Sequence, residues 1–403
     1  MSSSRNRRSS WRDDRVWQAG FLVGSAIGAA ATVLGRRAER AARTGLVDWP
    51  AAERIAVERL KATPGALTRE ELNATEPLYA AAMERIVPRL SQALGTELPG
   101  VVERSGVVDR AGWVHANVST FAALIGQLER ELLDQVIPTG SGLAKAAMAL
   151  ANRWVTTRQL GFLLGFMGSK VLGQYDLALL TAESTPGKLL FVEENIRQTA
   201  ATLDVPLDPF RTWIALHETT HAFEFKAHPW LRPYLAERLE RQLSLFGREA
   251  SGLGREALRS LGRAIRGDSD GAEHWIERLM SDEQRRLFRE TQAVMSLLEG
   301  FSDYVMDEVG RDLVPGVERI SAKFHERRNA RRSPFERAVM RLTGMDVKLE
   351  QYRKGEAFVA AIAAAGGSEA LNRLWAGPEM LPRHGEIDNP SRWLARTGSI
   401  AAS

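Results

Sequence analysis

The chain has 403 residues, 44% of them hydrophobic and 26% charged, which is typical of a folded globular protein and excludes a disordered or fibrous one. It contains no cysteine, so disulfides and thiolate metal sites are excluded and a metal ion would need His, Asp or Glu ligands. The net charge of +4 comes from residues 1–45, where nine arginines face three acidic residues. The rest of the chain is slightly acidic and gives no reason to expect nucleic-acid binding.

Residues 16–35 form an uncharged segment in the basic N-terminal extension (1–45), ahead of the body of the protein (46–403). Twenty helical residues span about 30 Å, enough to cross a bilayer, but the segment holds few large apolar side chains. Three interpretations stay open: a membrane anchor, a helix packed on the body or in an oligomer, and a cleaved export signal. The sequence accordingly predicts a protein that is cytoplasmic or anchored to a membrane through 16–35.

The body has the apolar periodicity of a mainly α-helical protein, with Gly, Pro and Asp at the ends of the periodic segments. One β signal interrupts it: YDLALL (175–180), a Pro-Gly loop and KLLFVEENI (188–196) predict a small hairpin. Residues 247–273 are rich in Gly, Ser and Arg and predict a mobile insertion. Helices are expected near 49–62, 69–75, 77–93, 115–137 and 141–167.

The segment LDPFRTWIALHETTHAFEFKAHP predicts a helix over 209–227. Asp208 is placed as its N-cap and Pro209 at its first position, while His228 precedes Pro229 at its end. The helix contains HETTH, a match to the HExxH pattern in which two histidines bind zinc and the glutamate acts as a base. The predicted hairpin lies directly before this helix in the chain.

His217 and His221 are four residues apart, so they lie on one face of the predicted helix, among apolar neighbours that turn this face inward. Two buried imidazoles are difficult to satisfy without a ligand, and a bound Zn²⁺ resolves this. Glu218 is rotated aside from that pair, which suits a general base acting on water at the metal and not a third ligand.

The third ligand must come from elsewhere in the chain. The metzincin spacing fails, because it requires Gly and His where this chain has Glu224 and Ala227. Glu224 as a ligand would place three donors along one straight helix, where they do not readily converge. In SLLEGFSDYVMDEVG (296–310), Glu299 can complete the coordination, and Asp303 can accept the ring N–H of a ligating histidine. Two acids on an ordinary amphipathic helix remain the alternative.

Four segments carry a family resemblance: DVPLDPFRTWIALHETTHAFEF, LLEGFSDYVMD, GMDVKLEQYRKGEAFV and LWAGPEMLPRHGEIDNPSRWLAR. HExxH with a downstream ExxxD resembles gluzincin metallopeptidases, and over 47–396 the chain is similar to zincin-like hydrolases of actinobacteria and Chloroflexi. Those proteins are often labelled as associated with deazaflavin-coenzyme biosynthesis, although the chain has no nucleotide- or flavin-binding glycine motif. The resemblance implies a multi-helix zincin-like fold, zinc at His217, His221 and Glu299, and Glu218 as catalytic base.

These observations predict a zinc-dependent hydrolase of peptide or protein substrates. Hydrolysis also needs a side chain that donates a hydrogen bond to the oxyanion, and the candidates are Tyr304, Tyr352, Arg353 and His228. Tyr352 is preferred as a catalytic residue because it lies in the polar stretch EQYRKGE. The strand KLLFVEEN is expected to pair with an extended peptide. Two alternatives remain: a hydrolase of nonpeptide amides, and a non-catalytic membrane-tethered scaffold with a structural zinc, in which Glu218 would have no purpose.

Overall fold

The structure, a computed structural model, describes residues 45–136, 143–175, 188–242, 244–245, 281–329, 345–383 and 385–401. Two sequence predictions, the 16–35 segment and the 247–273 insertion, lie outside these residues. Within the described part, none of the helices combines the length and the apolar character needed to span a membrane.

The described part is mainly helical, as predicted, with a small sheet. In chain order the helices are α1 (Trp49–Lys61), α2 (Arg69–Leu94), α3 (Arg110–Val136), α4 (Leu143–Gly168), α5 (Glu193–Leu203), α6 (Leu207–Ala227), α7 (231–242), α8 (Asp282–Leu313), α9 (Val317–Asn329), α10 (Met345–Leu374) and α11 (Pro390–Ala401). The strands are β1 (Ser105–Val108), β2 (Gly173–Tyr175) and β3 (Leu189–Val192). Gly367 interrupts α10 with φ 57° and ψ −150°, so α10 is two helical segments joined at a kink.

The helices predicted near 49–62 and 141–167 agree with α1 and α4, but the two predicted over 69–75 and 77–93 are one continuous helix, α2. Pro77 lies inside α2 and removes one backbone hydrogen bond. The helix continues because Tyr79, Met83 and Ile86 are buried in the core on its inner face. Their burial offsets the local cost of the proline.

Two helices begin earlier than the sequence predicts. Helix α3 starts at Arg110 instead of 115, and Asp109 caps its first turn by accepting the N–H of Gly112 at 2.5 Å. The HETTH helix α6 starts at Leu207, with Pro206 at the N-cap position. Asp208 is therefore inside the first turn, where its carboxylate pairs with Arg211 at 2.6 Å, and the prediction that it caps the helix is wrong.

The sheet has the order β1-β3-β2. The antiparallel pairing of β2 with β3 agrees with the predicted hairpin, although residues 176–180 lie outside the described part. The second predicted strand was too long: β3 ends at Val192, and Glu193 begins α5, where acidic residues favour the positive end of the helix dipole. Strand β1, which pairs in parallel with β3, was not predicted.

A buried ionic cluster ties α6 to its neighbours. The fully buried Glu193 carboxylate of α5 accepts hydrogen bonds from Arg211 of α6, from Arg197 at 2.7 Å and from the Tyr79 hydroxyl of α2 at 2.8 Å. Burial is the largest influence on the pKa of Arg211 and lowers it, but the hydrogen bond to Glu193 reverses the direction and the pKa is raised. The N-terminal half of the HETTH helix is thereby fixed against α2 and α5.

Helix α8 crosses α10 at a contact between two glycines. A Cβ atom on Gly355 would lie 2.0 Å from the carbonyl oxygen of Ser296, and one on Gly300 would lie 2.5 Å from the backbone nitrogen of Glu356. The backbones therefore touch where any side chain would separate them. Because Gly300 follows Glu299 directly, this contact sets the depth at which Glu299 is held.

Candidate metal centre

The two histidines of HETTH lie side by side on α6. Their ring centroids are 4.7 Å apart and their ring planes are nearly perpendicular, at 83°. Trp213, one turn before His217, stacks on its ring at 6.0 Å and 12°. Both histidines are partly buried, as the predicted inward-facing stripe requires. Helical periodicity and one aromatic contact thus fix the relation between the two imidazoles.

Glu299 of α8 joins the two histidines across the core. One donor atom from each of His217, His221 and Glu299 can be chosen so that all three lie within 4.8 Å of one another. The Nε2 atom of His217 is 3.9 Å from Oε2 of Glu299. Ligand atoms on one tetrahedral zinc ion lie roughly 3.3 Å apart, so small side-chain rotations would close the gap. The structure therefore brings together the three residues predicted as ligands.

The orientation of His221 is set by Glu224, which sequence reasoning considered only as a ligand. Glu224 is buried, and its Oε2 atom is 2.7 Å from Nδ1 of His221. A carboxylate accepts, so Nδ1 carries the proton and Nε2 is left for a metal. The spacing of His221 and Glu224 in the sequence could have identified this contact, since residues three apart are neighbours on a helix. Asp303, assigned this kind of role from the sequence, stays a prediction.

His217 has different neighbours around its ring. Its Nδ1 atom lies 3.2 Å from Sδ of Met306 and 3.5 Å from Oγ of Ser302, both on α8. These two side chains come from the turns that follow Glu299, so one helix supplies both a candidate ligand and the surroundings of His217. The His217 ring is thereby enclosed between Trp213 and α8.

Glu218 lies against the edge strand β2. Burial raises the pKa of Glu218 to about 7; the charge on His221 and the backbone N–H of Tyr175, which donates to the carboxylate, act in the opposite direction, and Glu299 adds to the rise. A Cβ atom on Gly173 would lie 2.5 Å from Cγ of Glu218. Strand β2 can approach the carboxylate this closely only because residue 173 is glycine.

The centre concentrates negative charge. Burial raises the pKa of Glu224 to about 7, as does the charge on Glu299. At His221 burial lowers the pKa, but the carboxylates of Glu224, Glu299 and Glu218 outweigh it and raise the pKa to about 10. A divalent cation among these carboxylates would relieve their mutual repulsion. Two imidazoles and one carboxylate also form a donor set that zinc accepts, so the residues present fit a bound metal.

The predicted oxyanion donors are not brought to the centre by any contact of the described side chains. Tyr304 packs partly buried against the core. His228 stacks on Trp375 at 5.5 Å, and burial lowers the pKa of His228 to about 4, so it is neutral near pH 7. Tyr352 and Arg353 belong to α10, but their side chains lie outside the described part of the chain. The role of Tyr352 stays a prediction.

The expectation that KLLFVEEN pairs with an extended peptide is wrong. Strand β3 is central: it already pairs with β1 on one side and β2 on the other. Both of its edges are therefore occupied, and a peptide cannot add to it. Among the described strands, β2 is the edge strand that contacts Glu218.

The fold and the centre together define a helical protein of the zincin class, and the comparisons agree. The family of zincin-like metallopeptidases matches residues 47–394, so the chain belongs to this family. A crystal structure described as that of a candidate hydrolase with a novel fold, from Chloroflexus aurantiacus, is similar to the chain with 34% identity and a TM-score of 0.64. The similarity covers 87% of this chain and 99% of that chain. No curated protein matches. The sequence resemblance to zincin-like hydrolases is thereby confirmed.

Proposed function

We propose that the protein is a zinc-dependent peptidase in which His217, His221 and Glu299 bind the ion and Glu218 is the general base. One observation carries this proposal: the donor atoms of the three predicted ligands lie within 4.8 Å of one another although Glu299 comes from a different helix. Membership of a metallopeptidase family and similarity to a candidate hydrolase support a zinc hydrolase in general.

Several residues of the chain have separate roles in the proposed amide hydrolysis. Zinc in such a site acts as a Lewis acid, which polarises a carbonyl and makes water more acidic. Glu218 accepts a proton from the attacking water and then donates it to the leaving amine. Glu224 keeps the Nε2 atom of His221 free for coordination by accepting a hydrogen bond from Nδ1–H. Gly173 and the Tyr175 N–H hold the Glu218 carboxylate in place.

Glu218 distinguishes this proposal from a structural zinc site. A closed structural site has no open coordination position and needs no carboxylate beside it. Glu218 instead lies among the proposed ligands, close enough for the charges of His221 and Glu299 to act on its pKa, where a carboxylate can take up and return a proton. A hydrolase of nonpeptide amides would use the same residues, and a substrate profile separates it from a peptidase.

The test is Glu218→Gln in the full-length protein. The substitution keeps the shape of the side chain and removes its basicity, so we expect hydrolysis to fall by about 10²–10⁴-fold. Zinc content should stay near that of the wild type, because Glu218 is not a ligand. Cleavage of a denatured protein substrate, read by mass spectrometry, gives the activity and atomic spectrometry gives the zinc. Full activity in this variant would contradict the proposal.

A further inference from the structure

A large cavity lies along the N-terminal half of α8. Its volume is about 730 Å³, within the range of ligand-binding pockets. Its walls come from α7, α8, α10 and the described residues 378–383 and 385–388. Its lining includes Ser296, which lies one turn before Glu299 on α8. Of the lining residues that the structure describes, Ser296 is the nearest to Glu299 along the chain, and none of His217, Glu218, His221 and Glu299 lines the cavity itself.

The cavity is basic. Among its described lining residues, six cations outnumber three acids: Arg238, Arg285, Arg286, Arg289, Lys354 and Arg383 against Asp282, Glu290 and Asp388. Each acid already has a cationic neighbour within the cavity, at 3.1 Å for Asp282, 3.5 Å for Glu290 and 2.9 Å for Asp388. With six cations and three acids, the described lining carries a net charge of +3, although the body beyond residue 45 is slightly acidic.

We propose that this basic cavity binds acidic side chains of an extended peptide and so favours acidic substrates for a peptidase whose proposed ligand Glu299 lies on the same helix. The substrate preference rests on the proposed peptidase function; the binding of acidic peptides does not. Five of the six cations are arginines, whose planar guanidinium groups bind carboxylates through paired hydrogen bonds. A neutral peptide segment would gain no such contacts, and a basic one would be repelled.

The test measures binding of fluorescein-labelled peptides to full-length Glu218→Gln protein by fluorescence anisotropy. A glutamate-rich decapeptide should bind at least about tenfold more tightly than its glutamine counterpart at low ionic strength, and added salt should reduce the difference. Arg286→Gln with Arg289→Gln should remove at least about fivefold of that affinity. Both residues are exposed on α8, so the fold should tolerate the change.

Two control variants separate the cavity from general charge effects. Arg286→Lys with Arg289→Lys keeps the charge but loses the paired hydrogen bonds, so it should lose less affinity than the glutamine variant. Arg311→Gln removes an exposed arginine in the last turn of the same helix, outside the cavity, and should change nothing. Equal binding of the two peptides, equal losses in Arg311→Gln and the cavity variant, or binding of pyrophosphate without binding of the acidic peptide would overturn the proposal.

The proposed peptidase and the proposed cavity can fail separately. Anisotropy requires no hydrolysis, so selective binding by a protein that cleaves nothing would contradict the peptidase and leave the cavity standing. Cleavage by the wild-type protein without regard to acidic residues, together with equal binding of the two peptides, would contradict the cavity alone.

Discussion

The two halves of the candidate metal centre are held in different ways. On α6, His217 and His221 are four residues apart, so any helix at this position places them as neighbours. Glu299 on α8 reaches them only because α8 packs at the right depth, through the contact of Gly300 and Gly355 with neighbouring backbone. One half of the site is thus determined locally and the other by tertiary packing, and substitutions can disturb each half separately.

The largest expected effect comes from the buried cluster that supports α6. Glu193→Ala would leave the buried Arg211 with only the exposed Asp208 as a carboxylate partner, which costs about 3–5 kcal/mol of unfolding free energy. Urea denaturation followed by circular dichroism measures this. Glu369→Ala is a matched control, because its ion pair with Arg373 is exposed and should contribute little. Similar stability of the two variants would show that the cluster does not hold α6.

The α8 half should respond to Gly355→Ala. The added methyl group would meet the carbonyl oxygen of Ser296 at 2.0 Å, so the helices must separate, at a cost of about 1–3 kcal/mol. Because α8 carries Glu299, this separation would displace Glu299 relative to the histidines of α6, and zinc affinity should fall. A variant destabilised equally at another place should keep its zinc affinity. Gly126→Ala in α3 is the control, since nothing lies within 4 Å of that position. Unchanged zinc affinity in Gly355→Ala would mean that the crossing does not position Glu299.

A smaller effect is expected within the α6 half, at the carboxylate that orients His221. Glu224→Gln removes the charged acceptor of the Nδ1 proton, and zinc affinity should fall about 10–100-fold. Competition with a chelator measures the affinity. Asp303→Asn, made in parallel, tests the role first assigned to that residue. A loss in Asp303→Asn alone would show that the sequence-based assignment was better than the one based on the contact at Glu224.

The contrast between local spacing and tertiary packing also explains which features the sequence could predict. Helix α6 and the spacing of its histidines follow from local periodicity, and Glu299 could be found because its helix carries a clear apolar stripe. Strand β1 could not be found, since its partner β3 lies far along the chain and a parallel pairing leaves no local signal. The break predicted between residues 75 and 77 was wrong because burial of α2 outweighed local propensity.

The most direct test of the account is the zinc content of Glu299→Ala, purified beside the wild-type protein and measured by atomic spectrometry. The control is Glu308→Ala, which removes an exposed carboxylate from the same helix. We predict about one zinc ion per chain in the wild type and in Glu308→Ala, and a large loss in Glu299→Ala, because two histidines alone bind zinc weakly. A full zinc complement in Glu299→Ala would contradict the account, since the third ligand would then lie elsewhere.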